Sequence, residues 1–188
     1  NPKLKGVKIK HYPMMGDGFG SDAMFYHSID FKANAAFCMQ DIWTLDPAFL
    51  SKMKVWIPWL PIDKDPLPPN TLEKLRYAYK IMSFSKFGHD LLEKNGFVST
   101  FIVEGTDTDI FTPLDQAESR KKMGLPQDAF FFSMVAANKE NPPRKGFQEA
   151  LEGFKLFCDK HPEAALLIHS QQRSPTGFPL REYAEYLK

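Results

Sequence analysis

The chain has little of what marks the commonest metal-dependent, membrane and nucleic-acid-binding proteins. It contains two cysteines among 188 residues and carries a formal net charge of +1, so neither a disulfide scaffold nor a broad basic surface for nucleic acid is indicated. The five histidines are scattered, and none lies at a metal-ligand interval from another histidine, a cysteine or a carboxylate. No apolar run approaches the ~20 residues of a membrane span. We therefore expect no metal site, no nucleic-acid partner and no membrane span, and leave peripheral membrane contact open.

Several nucleotide-binding and hydrolase motifs are absent as well. The chain has no G-x-G-x-x-G turn, no P-loop and no G-x-S-x-G elbow, which removes most of the support for an oxidoreductase, an ATPase or a hydrolase. We expect no cofactor. Cys38 and Cys158 lie far apart within apolar runs, which predicts two buried thiols in a reducing compartment, and no signal peptide opens the chain. These features predict a cytoplasmic protein.

What the sequence does contain is a regular alternation of strand and helix patterns. Apolar or alternating runs of strand length occur at 34–39, 52–60, 81–84, 101–104, 130–137 and 164–169. Helical patterns lie between them, and a further short strand is predicted around Val7 and Ile9. This alternation indicates the α/β class with a parallel sheet.

Capping residues predict where several helices begin. Ser21 or Asp22 is expected to cap a first helix. Thr71 is expected to cap another, whose buried face extends to Tyr79. Ser85 is expected to open a third helix.

The stretch 129–150 has the order of a nucleotide-binding unit: an apolar strand, a polar loop and an amphipathic helix. The run 130–137 predicts a strand covered on both faces, and 138–143 breaks it. After Gly146, apolar residues recur with the period of one helix face. Arg144 and Lys145 therefore lie at the positive end of a helix dipole, where an anion such as a diphosphate would offset their charge. The alternative is that they are ordinary solvated charges in a loop.

Two features of the N-terminal part are candidates for contacting a ligand. Gly16, Gly18 and Gly20 form a glycine-rich loop that either lets the backbone approach a ligand or is simply a mobile connection. Asp41 follows the strand at 34–39, at the end where open α/β sheets place ligand-binding groups. Its alternative role is to cap a turn.

Five segments, taken together in their order and spacing, resemble the group-1 glycosyltransferases of the GT-B architecture. They are IMSFSKFGHDLLEKNG (81–96), VEGTDTDIFTP (103–113), SRKKMGLP (119–126), FFSMVAANKENPPRKGFQEALEGF (131–154) and HPEAALLIHS (161–170). The resemblance covers about residues 55–188, whereas the first 54 residues match only loosely.

The resemblance implies a GT-B fold, in which two Rossmann-like domains with parallel sheets face each other. Residues 1–108 would be the C-terminal part of the N-terminal acceptor domain, and 109–188 the first half of the C-terminal donor domain. The family more often has Gly-Val-Asp where this chain has Gly105-Thr106-Asp107. Its E-x7-E motif would lie beyond Lys188, so we expect an internal fragment that is inactive alone.

The resemblance also assigns the donor site. Lys145 matches the family lysine that holds the diphosphate of a nucleotide sugar. The partner arginine of the family stands at the strand end, where this chain has Asn138, so Arg144 becomes the candidate second cation and Asn138 a candidate contact. His169 and Ser170 stand where many members have Gly-x-Gly near the nucleotide.

On the acceptor side, the resemblance makes Gly18, Gly20 and Asp41 candidates for lining the cleft, with Asp41 as a catalytic base. The implied activity is metal-independent transfer of a sugar from a UDP- or GDP-sugar to a saccharide or lipid-linked acceptor, with the diphosphate held by the Arg144/Lys145 loop. The alternative is a catalytically inactive nucleotide- or saccharide-binding protein of the same fold.

Overall fold

The computed structural model describes Gly6 and residues 9–187. These residues fall into two compact units, the first ending at Asp107 and the second beginning at Thr108. Both units are α/β with parallel strands, which confirms the predicted class. The strand predicted around Val7 and Ile9 lies partly outside the described residues, and Ile9 itself is not in a strand.

The first unit is built on a four-stranded parallel sheet in the order β1-β2-β3-β4. Its strands are β1 (Ala36–Met39), β2 (Trp56–Leu60), β3 (Ile81–Ser83) and β4 (Ser99–Phe101). Its helices are α1 (Ser21–Asp30), α2 (Pro47–Leu50), α3 (Pro69–Leu75) and α4 (Lys86–Lys94), with a 3-10 turn at Ile42–Thr44. Strands that are consecutive in sequence are neighbours in the sheet and run in the same direction. Each connection therefore carries the chain from the carboxyl end of one strand back to the amino end of the next.

An apolar core holds this unit together. Trp56 and Leu60 of β2 are fully buried, and Leu75 of α3 and Leu92 of α4 pack in the same cluster. Burying a large apolar side chain stabilises a fold by about 1.5–3 kcal/mol. The same core includes Ile42 and Ile62, which belong to the segments after β1 and β2, and it therefore holds both segments in place.

The second unit contains a two-stranded parallel sheet. Its strands are β5 (Phe130–Val135) and β6 (Ala164–His169), and its helices are α5 (Gln116–Met123), α6 (Phe147–Cys158) and α7 (Leu180–Tyr186). Phe147 and Leu151 of α6 are buried with Phe178 and Leu180 against the sheet. The strand, loop and helix order predicted for 129–150 is confirmed.

The prediction that the strand at 130–137 is covered on both faces is wrong for this unit. Phe130 and Val135 of β5 are 59% and 78% exposed. Among the described residues β5 pairs with β6 alone. Helix α6 packs on one face, where Phe132 contacts Phe154 and Phe157. An apolar strand sequence therefore indicates the strand but not how much of it is covered.

Two predicted caps are also wrong. Gly20, in the left-handed region at φ 82°, is the N-cap of α1, while the Ser21 hydroxyl accepts from the Asp46 N–H and Asp22 Oδ2 from the Gly16 N–H. Helix α3 begins at Pro69, before Thr71, because proline is well suited to the first turn. The Ser85 cap is confirmed, since its hydroxyl accepts from the Gly88 N–H at 3.0 Å.

Three further details differ from the sequence prediction. Helix α3 ends at Leu75, so Tyr79 is 71% exposed and is not part of a buried face. The strand predicted at 101–104 instead ends at Phe101. There β4 pairs with Ser83, which is the last residue of β3. Cys38 and Cys158 are free thiols, but each is half-buried, and burial raises the pKa of Cys38.

Gly88 and Gly153 both lie within helices, but their surroundings differ. A Cβ at Gly88 would lie 2.5 Å from Ser83 Oγ and 2.8 Å from Ile62 Cβ, whereas a Cβ at Gly153 would meet no atom within 4 Å. We expect Gly88→Ala to lower the free energy of unfolding by about 1–3 kcal/mol through overpacking. Gly153→Ala should raise it by up to about 1 kcal/mol.

Urea titrations followed by far-ultraviolet circular dichroism measure both effects. Equal changes for the two variants would contradict the close packing of Gly88 against β3.

Candidate functional site

The loop between β5 and α6 is anchored by Asn138. This side chain is 1% exposed, and its Nδ2 donates to Gln171 O at 3.1 Å and to Phe178 O at 2.8 Å. Its Oδ1 accepts from the Phe178 N–H at 2.7 Å. Both amide N–H donors are thus used within the protein. Asn138 ties the loop after β5 to the segment after β6.

The segment 170–178 is shaped to receive this amide. A Cβ at Gly177 would lie 2.7 Å from Asn138 Oδ1. The backbone of Gly177 therefore lies closer to the Asn138 side chain than a residue with a Cβ would allow. Thr176 Oγ1 donates to Lys139 O at 2.7 Å, which adds a second link between the two loops. The Asn138 region is therefore a rigid base for the residues that follow it.

Arg144 and Lys145 precede α6, as predicted, and both are exposed. Arg144 Nε lies 3.2 Å from Glu140 Oε1, in an ion pair on the surface. Lys145 forms no hydrogen bond or ion pair with any residue in the described part of the chain. Gly146, at φ 67°, provides no side-chain cap for α6. An exposed cation thus lies at the N-terminus of a 12-residue helix that no side chain caps.

His169 and Ser170 lie at the same edge of the sheet. Parallel pairing sets Val135 beside His169, so the carboxyl ends of β5 and β6 coincide. His169 is exposed, whereas Ser170 is half-buried and its hydroxyl donates to Ala136 O at 2.7 Å. The fold places Asn138, His169 and Ser170 at the ends of β5 and β6, and Arg144 and Lys145 directly before α6. It leaves Lys145 and His169 open to solvent, and uses Asn138 and Ser170 to hold the loops.

The first unit has a cavity at the corresponding edge of its own sheet. Its volume is about 320 Å³, and it lies between the turn that follows β1 and the connection that follows β2. Parallel pairing sets Met39 beside Trp59, so these two loops leave the sheet side by side. Asp41 lines the cavity, is exposed, and makes no side-chain hydrogen bond at the start of the 3-10 turn.

A buried lysine holds that turn. Lys74 of α3 is 7% exposed, and its Nζ donates to Trp43 O at 2.9 Å and approaches Ile42 O at 3.4 Å. Burial lowers the pKa of Lys74, with Asp46 opposing the shift. An ammonium group this deep needs such acceptors. Lys74 therefore fixes the position of Asp41 and Trp43 against α3.

The glycine-rich loop lies beside the same turn and is held by hydrogen bonds. Asp22 Oδ2 accepts from the N–H groups of Gly16 at 2.8 Å and Asp17 at 3.0 Å. Gln40 Nε2 donates to Phe19 O at 3.2 Å, which links the loop to the end of β1. Hydrogen bonds from Ser21 and from the Phe19 N–H lower the pKa of Asp17.

The two predicted glycines of this loop have different surroundings. Gly20 adopts a left-handed conformation that disfavours other residues, whereas Gly18 is exposed with open space around it. The fold thus places Gly18, Gly20 and Asp41 near one sheet edge.

Of the residues that line this cavity, the sequence predicts Asp41 alone as a site residue and does not predict the others, among them Trp43, Asn70 and Thr71. Trp43 lies two residues after Asp41, and this short separation in sequence could have indicated that both residues line the same cavity. The sequence predicts only a capping role for Thr71. Asn70 lies after a proline-rich stretch, and nothing in the sequence shows that this stretch returns to the turn after β1.

Two observations concern what the described residues do not contain. No group of three or more His, Cys, Asp or Glu side chains is arranged to hold a metal ion in that part of the chain. None of its helices is both long and apolar enough to cross a membrane. No protein-family model matches the sequence, and a comparison with curated proteins gives no significant match.

Replacing Asn138 should destabilise the second unit. Asn138→Ala removes three hydrogen bonds and leaves the Gln171 carbonyl and the Phe178 N–H without their partner, whereas the Phe178 carbonyl still accepts from the Leu180 N–H. We expect the free energy of unfolding to fall by about 1–3 kcal/mol, the cost of an unsatisfied buried polar group. Gln171→Ala is a matched control because its side chain is exposed and its backbone carbonyl remains. Denaturant titration of both variants measures the difference, and similar stabilities would contradict the anchoring role of Asn138.

Proposed function

We propose that this chain is part of a glycosyltransferase of the GT-B type that uses a nucleotide-sugar donor. The first unit would belong to the acceptor domain and the second to the donor domain. The parallel α/β fold of both units is compatible with this proposal. The division between Asp107 and Thr108 lies within the segment 103–113, which resembles the family's passage from one domain to the other.

One observation carries the proposal. Lys145, which matches the family lysine, lies at the N-terminus of α6 without an ion pair among the described residues, and no side chain caps the helix. Backbone N–H groups at a helix N-terminus and a neighbouring ammonium group together bind phosphate oxygens well. A diphosphate would satisfy both.

The proposed reaction breaks the bond between the sugar's anomeric carbon and the diphosphate oxygen, and forms a bond to an acceptor hydroxyl oxygen. The leaving diphosphate gains negative charge, and Lys145 with the α6 N-terminus would stabilise it electrostatically. The acceptor's proton would pass to Asp41 or to the leaving phosphate. Asp41 suits a proton acceptor because its carboxylate is exposed and makes no hydrogen bond within the described residues.

A binding protein without transfer activity is the second candidate, and a specific observation favours it. Of the candidate donor contacts, Arg144 is paired with Glu140 and Asn138 is used inside the loop. Lys145 would then hold a diphosphate with little help from other side chains. Such a site could retain a nucleotide without accelerating its transfer.

Lys145→Ala tests the diphosphate role. In the intact protein we expect the affinity for UDP or GDP to fall about tenfold or more, because a hydrogen bond to a charged group contributes about 1.5–3 kcal/mol. Isothermal titration calorimetry measures this change. Lys160→Ala is the matched control, since Lys160 is an exposed lysine beyond the opposite end of α6. Equal affinities for the two variants would remove Lys145 from the site.

Turnover separates the two candidates. We expect the intact protein to hydrolyse or transfer the sugar of a UDP- or GDP-sugar, with a rate reduced by Lys145→Ala. Nucleotide binding without any turnover would favour the binding protein instead.

A further inference from the structure

A second cavity of the first unit lies at the edge of the sheet opposite to Asp41. It has a volume of about 510 Å³ and lies between the connection from α1 to β1 and the connection from α2 to β2. Parallel pairing sets Ala36 beside Trp56, so the amino ends of both strands meet there. The volume is within the range of ligand pockets, about 300–1,000 Å³.

Three lysines line this cavity: Lys32, Lys52 and Lys54. The described residues of the lining include no Asp or Glu, and none of the three lysines forms an ion pair with a described residue. Elsewhere, exposed cations on helices pair with a carboxylate four residues away, as Lys86 does with Asp90. Ammonium groups gathered without a counter-charge repel one another, so an anion in the cavity would stabilise all three.

The negative groups that are nearest along the chain already have partners. Asp30 Oδ2 accepts from Lys10 Nζ and from the Tyr12 hydroxyl, each at 2.6 Å. The backbone N–H groups of residues 31–33 donate to the carbonyl groups of residues 27–29 at the end of α1. The cavity lysines are therefore left to a counter-charge from outside the unit.

Lys32 adopts a backbone conformation that favours glycine. Its φ is 53°, and it is the one non-glycine residue with a positive φ in the described part of the chain. It follows Phe31, the C-cap of α1, at the position where a left-handed glycine commonly ends a helix. A lysine costs stability there that a glycine would not. A cation at such a position agrees with a role for its ammonium group in the cavity.

Apolar side chains form the rest of the wall, among them Phe25, Ile29 and Met53. Lys52 Nζ lies 5.9 Å from the centroid of the Phe25 ring and 5.6 Å from that of the Phe49 ring. These cation–π contacts hold the ammonium group beside the apolar wall. The cavity thus offers positive charge and apolar surface side by side, which suits a ligand with an anionic group on an apolar body.

The cations are all lysines, and this favours a phosphate over a carboxylate. A guanidinium group matches a planar carboxylate with two parallel hydrogen bonds, whereas an ammonium group acts as a point charge with three donors. No arginine is among the described residues of the lining. A phosphate monoester carries a charge of about −1.5 to −2 at pH 7 and three acceptor oxygens. One such group can accept from all three lysines.

We propose that this cavity binds a phosphate monoester on a small apolar body, with the phosphate on Lys32, Lys52 and Lys54 and the apolar body on Phe25 and Met53. The site is independent of the proposed sugar transfer. Its residues all belong to the first unit and lie at the amino ends of the strands, whereas the proposed diphosphate site is in the second unit.

Isothermal titration calorimetry of the intact protein with naphthyl phosphate tests the inference. We expect a Kd on the order of 1 mM or below, which rises with added sodium chloride because salt screens the ammonium groups. Lys52→Gln together with Lys54→Gln should weaken binding about tenfold or more. The matched control is Lys94→Gln with Lys160→Gln, which removes the same charge from two exposed lysines outside the cavity and should leave binding unchanged.

Lys32→Gly gives a result that a purely structural lysine would not. Glycine relieves the left-handed conformation, so the melting temperature should rise. The loss of one ammonium group should at the same time weaken the binding of naphthyl phosphate about three- to tenfold. A higher melting temperature with unchanged affinity would overturn the role assigned to Lys32.

A free phosphorylated metabolite and a phosphate-bearing lipid would present the same chemistry to this cavity. Co-sedimentation with vesicles of phosphatidylcholine and phosphatidic acid in equal parts distinguishes the two sources. Retention on the vesicles that is lost with Lys52→Gln and Lys54→Gln would indicate the lipid. Binding of naphthyl phosphate without retention would indicate a free ligand. Both results support the site.

Three results would overturn the inference: naphthyl phosphate does not bind, naphthol binds equally well without the phosphate, or Lys52→Gln with Lys54→Gln leaves the affinity unchanged. Lys145→Ala separates this site from the proposed diphosphate site, since it should leave the affinity for naphthyl phosphate unchanged. Naphthyl phosphate binding through Lys52 and Lys54 in a protein that binds no UDP or GDP would keep this site and remove the proposed transfer.

Discussion

Parallel strand pairing is the constraint on which both units depend. Because β1 and β2 run in the same direction, the chain leaves both at the same edge, and the loops that follow must lie side by side. The same geometry brings the ends of β5 and β6 together. Residues far apart in sequence, such as Asp41 and Thr71 or Asn138 and Phe178, become neighbours for this reason.

The loops at these edges are held by buried polar groups. Asn138 binds the backbone of the segment after β6, and Lys74 binds the backbone of the turn after β1. Each buried group is costly unless its hydrogen bonds are made. The loops are thereby kept in one position, while Lys145 and Trp43 beside them remain exposed. An ordered loop that carries an exposed functional group is what a binding site requires.

The two edges have opposite charge. In the second unit Lys145 and the N-terminus of α6 create a positive surface, which suits an anion. In the first, the carboxylates of Asp41 and Asp63 outnumber the ammonium of Lys64 in the lining of the cavity.

The sequence by itself determined the α/β class, the parallel strands, the helix after Gly146 and the position of Lys145 at its start, because these depend on local periodicity and on glycine at the turn. It could not determine the role of Asn138, since a side chain hydrogen-bonds to whichever backbone the tertiary structure brings close. The exposure of β5, the role of Ser21 at the start of α1, and the meeting of Trp43 with Thr71 likewise depended on packing between distant segments. Only the folded chain decided these, because contacts between distant residues leave no periodic pattern in the sequence.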